Sequence, residues 1–301
     1  MRKLVVVLLG IVAFLLLSGC GGKTGTDAAQ AEKIPVSVSF DAMREFVEAV
    51  GGDKVQVSVI IPDGTEPHEF EPKADDLKGL HEARLFVING LGMEPWAEAA
   101  AEAANNEKLV VVKASEGIEA IDNTDEDEIK EHGAQDPHSW LSLQNAKIEV
   151  TNIKEAMSKA DPQNSSYYAE RCAAYVEKLD ALQREYQSKF QQTEKKDFVT
   201  GHAAFAYLCR DFGLRQNSVE DVFAEGEPNP AQLAKLVDYC REQRVHTIFA
   251  EEMASPEVSG TLAREVQADV KTIYTMESHE EHKDYLERMQ EDLDKIYESL
   301  K

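Results

Sequence analysis

Residues 34–61 read IPVSVSFDAMREFVEAVGGDKVQVSVII. Two β-branched runs, Pro35–Phe40 and Val55–Ile61, flank a helical pattern over Asp41–Val50. Strand, helix and strand in that order form the repeating step of an α/β architecture, in which helices cover a parallel sheet. Working outward, six more strand-like runs follow. Leu85–Asn89 and Leu109–Lys113 complete a first group of four. Asp197–Gly201, Gln216–Val219, Val245–Glu251 and Val270–Met276 form a second group, in which Gln216–Val219 is the weakest. Most are continuous apolar runs rather than alternating ones, as strands buried in parallel sheets require. No sequence repeat relates the groups.

Between them Asp161-Pro162 reads as a helix start, a cap followed by proline at the first helical position. Tyr168, Cys172, Tyr175, Leu179, Leu182 and Tyr186 then recur at spacings of four and three, which predicts one long helix reaching about Phe190. At ~1.5 Å per residue it would extend about 40 Å, enough to run beside two lobes and join them. A rigid connector of that kind restricts hinge motion more than loop linkers would. Pro230–Gln243 is a further helical stretch, and a last helix carries Leu286, Met289, Leu293, Ile296 and Leu300 on one face. The fold class expected is α/β, with two lobes, each holding a four-stranded mainly parallel sheet, joined by one long helix. The lobes are expected at residues 33–160 and 191–301, with the linking helix over 161–190.

The N-terminus has a different character. Arg2 and Lys3 precede an apolar run, Leu4–Leu17, which ends in Leu17-Ser18-Gly19-Cys20. A basic start, a short apolar core and small residues read as a secretory signal over residues 1–19. The run is shorter than the ~20 residues a spanning helix needs. Residues 20–32 have the composition of a flexible tether. Removing residues 1–19 takes away two of the 32 basic residues and none of the 56 acidic ones, leaving a net charge of −26. Such a charge excludes nucleic acid as a partner, because phosphates would repel it, and it suits a cationic ligand. Cys172, Cys209 and Cys240 match no zinc–thiolate spacing. Cys172 reads as a buried thiol, and a Cys209–Cys240 bridge is open.

Four residues stand out as ligand candidates. His68 sits in the turn-rich stretch Pro67-His68-Glu69-Phe70-Glu71-Pro72, His138 in Asp136-Pro137-His138-Ser139-Trp140, His202 in Gly201-His202-Ala203, and Glu277 in Met276-Glu277-Ser278. Three of them follow the C-terminal end of a predicted strand, where open parallel sheets bind ligands. Three imidazoles and a carboxylate suit a borderline cation such as zinc. The four are 64 to 75 positions apart and form no local motif. On the residues alone, each histidine could equally be a surface or capping residue.

The chain resembles the zinc- and manganese-binding solute-binding proteins of ABC importers, from about Pro35 to its C-terminus. The resemblance is carried by the motifs just quoted together with Asn89-Gly90-Leu91-Gly92-Met93-Glu94-Pro95-Trp96, Glu227-Pro228-Asn229-Pro230 and Ile248-Phe249-Ala250-Glu251-Glu252. It implies metal ligands at His68, His138, His202 and Glu277, where the family more often has Asp at the fourth position. Glu251 is implied as a supporting residue or a rival ligand. The signal resembles that of bacterial lipoproteins, which implies lipid attachment at Cys20 and anchoring to the outer face of the cell membrane. The resemblance further implies a membrane ABC permease as partner, a monomeric receptor and no enzymatic activity.

Zinc is expected over manganese. Manganese-type members tend to place a carboxylate where His202 stands, and imidazole suits zinc. Against this, the stretch 121–132 is short and acidic with only His132, where many zinc-type members carry a long His-rich loop. It reads as a solvated loop or a loose gatherer of cations. A manganese receptor of the same architecture is the alternative. A secreted metallohydrolase using the three histidines and a water is a further one, without any His-Glu-x-x-His helix to support it. Surface adhesion would leave no distinct mark in the sequence.

Overall fold

Ile34–Val38 (β1) and Val55–Val59 (β2) pair in parallel, with Val36 opposite Val57. Asp41–Gly51 (α1) connects them and buries Met43, Phe46, Val47 and Val50. Leu85–Ile88 (β3) joins the other side of β1, and Val110–Lys113 (β4) joins β3, so the order is β2-β1-β3-β4, all parallel. Ala97–Ala103 (α2) lies between β3 and β4, and Leu143–Ala160 (α3), capped by Ser142, follows them. The structure, a computed structural model, describes residues 33–123, 129, 134–220, 230–251 and 256–301. The expected signal and tether with Cys20, most of the acidic stretch including His132, Glu227–Asn229 and Glu252 lie outside the described residues.

The predicted long helix is Ser165–Gln191 (α4), 27 residues, about 40 Å long at ~1.5 Å per residue. Its start differs from expectation in one respect. Asp161 stands at the N-cap position and Pro162 at the first helical position, as expected, but Pro162–Asn164 forms one 3-10 turn before α4, and the Asp161 carboxylate accepts hydrogen bonds from the Asn164 amide group and the Tyr168 hydroxyl. The second group of strands is Asp197–Thr200 (β5), Arg215–Ser218 (β6), Thr247–Glu251 (β7) and Asp269–Ile273 (β8). Their order is β6-β5-β7-β8, again all parallel. Ala206–Phe212 (α5), Pro230–Gln243 (α6) and Pro256–Val266 (α7) connect them. Two lobes thus share one strand order without sharing sequence. In each, the order reverses beside the first strand, which opens a crevice beyond the strand ends.

Tyr285–Ser299 (α8) closes the chain, starting with a capping box between Asp284 and Glu287. It buries Tyr285, Arg288, Met289, Asp292, Leu293 and Ile296, whereas Leu286 is only partly buried. The apolar stripe therefore located the helix but misjudged its inner face, which includes two charged residues. Although α8 follows the second sheet, its first turns pack on the first lobe. The Tyr285 ring meets Phe46 at 4.8 Å, and its hydroxyl donates to the Trp140 carbonyl at 2.6 Å. One continuous core runs from Val38 and Phe46 through Leu179 and Tyr186 of α4 to Phe198, Phe249 and Ile273. Cys172, Cys209 and Cys240 are buried free thiols, so the Cys209–Cys240 bridge is not made. Among the described residues no helix is long and apolar enough to cross a membrane.

Candidate metal centre

His68, His138, His202 and Glu277 converge, with one donor atom of each lying within 4.8 Å of all the others. His68 Nε2 is 3.1 Å from His138 Nε2, and His138 Nε2 is 3.4 Å from His202 Nε2. Glu277 Oε1 lies 3.7 Å from His138 Nε2 and 3.9 Å from His68 Nε2. A tetrahedron of donors on zinc, with bonds of ~2.0–2.1 Å, has edges of ~3.3–3.4 Å. The two Nε2–Nε2 separations bracket that edge and the two from Glu277 are a few tenths of an ångström longer, so the group is close enough for one small cation to draw together.

Three of the four candidate ligands are held by neighbours. His138 is fully buried, and its Nδ1 lies 2.9 Å from Asp136 Oδ1, which also accepts the His138 backbone N–H. A carboxylate can only accept, so Nδ1 carries the proton and Nε2 presents its lone pair to the centre. Thr275 Oγ1 donates to Glu277 Oε2 at 2.9 Å, which turns Oε1 toward the histidines. His202 follows β5 and Glu251 ends β7, so the two face each other across the crevice of the second sheet. Glu251 Oε1 accepts the His202 backbone N–H at 3.1 Å. Gly201 is required here, because a Cβ would collide with the Glu251 carboxylate. Gln216 completes the hold by donating to the His202 carbonyl at 2.8 Å. Burial first, then the neighbouring His138, pushes the His202 imidazole well below its ordinary value and keeps it neutral.

Beneath His138 lies a buried polar floor. Ser139 Oγ is 2.7 Å from Glu149 Oε1 and 3.0 Å from Asn89 Oδ1, while Asn89 Nδ2 donates to the Pro137 carbonyl. Burial raises the Glu149 carboxyl to about 8. Protonated, it can donate to Ser139, whose single hydrogen is then free for Asn89. Glu94 accepts from Ser39 Oγ and the Asn89 and Gly90 backbone N–H groups, with burial raising it to about 6.

The sequence pattern named all four converging residues and Glu251. It assigned no roles to Asp136, Thr275, Gln216 or Glu149. Only Asp136 left a usable signal, a carboxylate two residues before a candidate ligand in Asp136-Pro137-His138. Among the described residues, the remaining histidines stand apart from the centre: His81, His246 and His282 are exposed. His279 and His282 occupy an irregular segment before α8. A second group of possible donors, Asp41, Glu45 and His279, is already filled by Arg44 and Arg288.

Residues 36–299 match the family described as the periplasmic component A of a zinc-uptake complex. The high-affinity zinc uptake system protein ZnuA of Bacillus subtilis is 36% identical over 301 residues, covering 95% of this chain and 94% of that protein. The zinc-binding lipoprotein AdcA of Streptococcus pneumoniae is 32% identical over 92% of this chain and 56% of its own length. A Zn(II)-bound variant of AdcAII from Streptococcus pneumoniae superposes with a TM-score of 0.82 at 31% identity, covering 90% of this chain and 99% of that one.

Proposed function

The chain belongs to the family of periplasmic zinc-uptake components, and from that premise we propose that it captures Zn(II) outside the cytoplasm and hands it to the permease of an ABC importer. His68, His138, His202 and Glu277 are the ligands in this reading. The observation that carries it is the convergence of three Nε2 atoms and one carboxylate oxygen within 4.8 Å of one another. Four protein donors close the shell and leave no position for a reactive water, which is the arrangement of a carrier rather than a hydrolase. All four come from one chain, so a monomer suffices. Lipid attachment at Cys20 would hold the receptor at the membrane beside its permease.

Three imidazoles favour zinc over manganese, whose harder ion prefers oxygen donors. Competitive titration of the whole chain against a zinc-binding chromophore tests the capture step. One equivalent of zinc should bind, and manganese should not displace it. Absence of zinc binding at micromolar concentration would refute the reading, and displacement by manganese would reassign the metal. Delivery is tested by zinc uptake in cells lacking the chain, restored by the native sequence and not by a His68→Ala/His138→Ala variant.

A further inference from the structure

Glu277 follows β8 of the second sheet, yet its segment is bound to the first lobe. Arg288 of α8 is fully buried. Its guanidinium donates to the Ser278 carbonyl at 2.7 Å and to Asp41 Oδ2 at 2.5 Å. Asp41 opens α1 in the first lobe, and its backbone N–H donates to the Glu277 carbonyl at 3.3 Å. Ser278 Oγ accepts the Gly64 N–H at 2.8 Å, and Asp63 Oδ1 accepts the His279 N–H at 3.2 Å. The Arg288–Ser278 bond ties α8 to the Glu277 segment, and each of the others runs from one of these to the first lobe.

The turn they hold is strained. Met276, immediately before Glu277, is buried with φ 62°, a left-handed conformation costing a residue with a side chain ~1–2 kcal/mol. A conformation of that kind persists only where its surroundings impose it. A buried guanidinium is a demanding element, since a buried charge pair does little for net stability and much for geometry. Arg44 shares the Asp41 carboxylate, through Oδ1 at 2.5 Å, and leaves Oδ2 to Arg288. The pair is thus oriented as a fork between α1 and the Ser278 carbonyl.

We infer that Arg288, paired with Asp41, is a positioning residue for zinc capture: it holds Glu277 on the first lobe beside His68 and His138, leaving His202 as the one ligand carried by the second sheet. This rests on the proposed reading of Glu277 as a ligand. Arg288 touches no donor atom and acts through the backbone of Glu277 and Ser278. Losing an outer group of this kind should weaken zinc binding ~10–100-fold.

The test is a double-mutant cycle read by competitive zinc titration and by the visible spectrum of the Co(II)-loaded chain. Arg288→Lys keeps the charge and loses the fork, and Asp41→Asn removes the partner's charge while retaining a hydrogen-bond acceptor. Each is combined with Glu277→Ala, and thermal unfolding identifies any variant that fails to fold. Each single variant should bind zinc at least about tenfold more weakly, with the Co(II) bands moving toward those of Glu277→Ala. Neither should add a further loss once Glu277 is alanine. An equal loss in both backgrounds, or no loss from either variant, overturns the proposal while leaving the ligand assignment intact. If Glu277→Ala alone keeps native affinity and spectrum, the ligand assignment fails and the proposal falls with it. Should Arg288→Lys not fold, Asp41→Asn decides.

Discussion

The crevices beyond the two sheets are built to one plan and filled differently. Beyond β1 and β3, Glu94 gathers the Ser39 hydroxyl and two backbone N–H groups. Beyond β5 and β7, Glu251 receives the N–H of His202. Both crevices arise because the strand order reverses beside the first strand of each sheet. In the first, the carboxylate serves a polar floor under His138. In the second, it serves the ligand segment itself, packed against Gly201. Topology decides where a crevice opens, and side chains decide whether it becomes a floor or a site.

The largest expected effect concerns the first crevice. Glu149 is raised to about 8 by burial, so the folded chain holds a proton that the unfolded chain releases above ~4.5. The resulting destabilisation is absent below that pH and grows as pH rises toward 8, by up to ~1.4 kcal/mol per pH unit. Glu149→Gln should remove this slope in chemical denaturation between pH 6 and 8, above the range in which Glu94, raised to about 6, contributes a slope of its own. A variant as pH-dependent as the native chain would show that the floor is not protonated. Next is the second crevice. His202→Ala removes a donor directly and should weaken zinc binding by more than ~100-fold, beyond the range of outer groups, as read by competitive titration. A smaller effect would place His202 outside the shell.

Gly201→Ala probes the same crevice without touching a donor. The added Cβ must push Glu251 aside, and a loss of ~10-fold in zinc affinity is expected. Unchanged affinity would mean that Glu251 does not aim His202. The smallest effect belongs to the seam between the lobes. Ser278→Ala deletes the hydrogen bond accepted from Gly64 and should cost ~1 kcal/mol in unfolding free energy. A cost near zero would confine the binding of the Glu277 segment to Arg288 and Asp41.

Much of this was legible in the chain because it is local. Apolar runs and their spacing located all eight strands, including weak β6, and the stripe on α4. What misled was polarity. Arg288 and Asp292 lie on the buried face of α8, yet a charged residue in a helical pattern reads as solvated. Their partners are remote: Arg288 binds Asp41, 247 positions away, and Asp292 accepts the Tyr274 N–H across the end of β8. Asp161-Pro162 did mark the helical start, as a 3-10 turn, but nothing local showed that Tyr168 and Asn164 would donate to the Asp161 carboxylate.

By itself the sequence determined the α/β class, the two groups of four strands, the long helix and the identities of the candidate ligands. Those features follow from periodicity and from residue type, which are properties of neighbouring positions. Only the tertiary structure decided that donor atoms of His68, His138, His202 and Glu277 meet within 4.8 Å of one another, and that Asp136 and Thr275 aim two of them. It alone showed that Glu277 leaves the second sheet but is held by the first lobe. The physical reason is the same in each case. These are contacts between residues far apart in the chain, brought within hydrogen-bonding distance by the shared core and the packing of α8, and no local pattern encodes them.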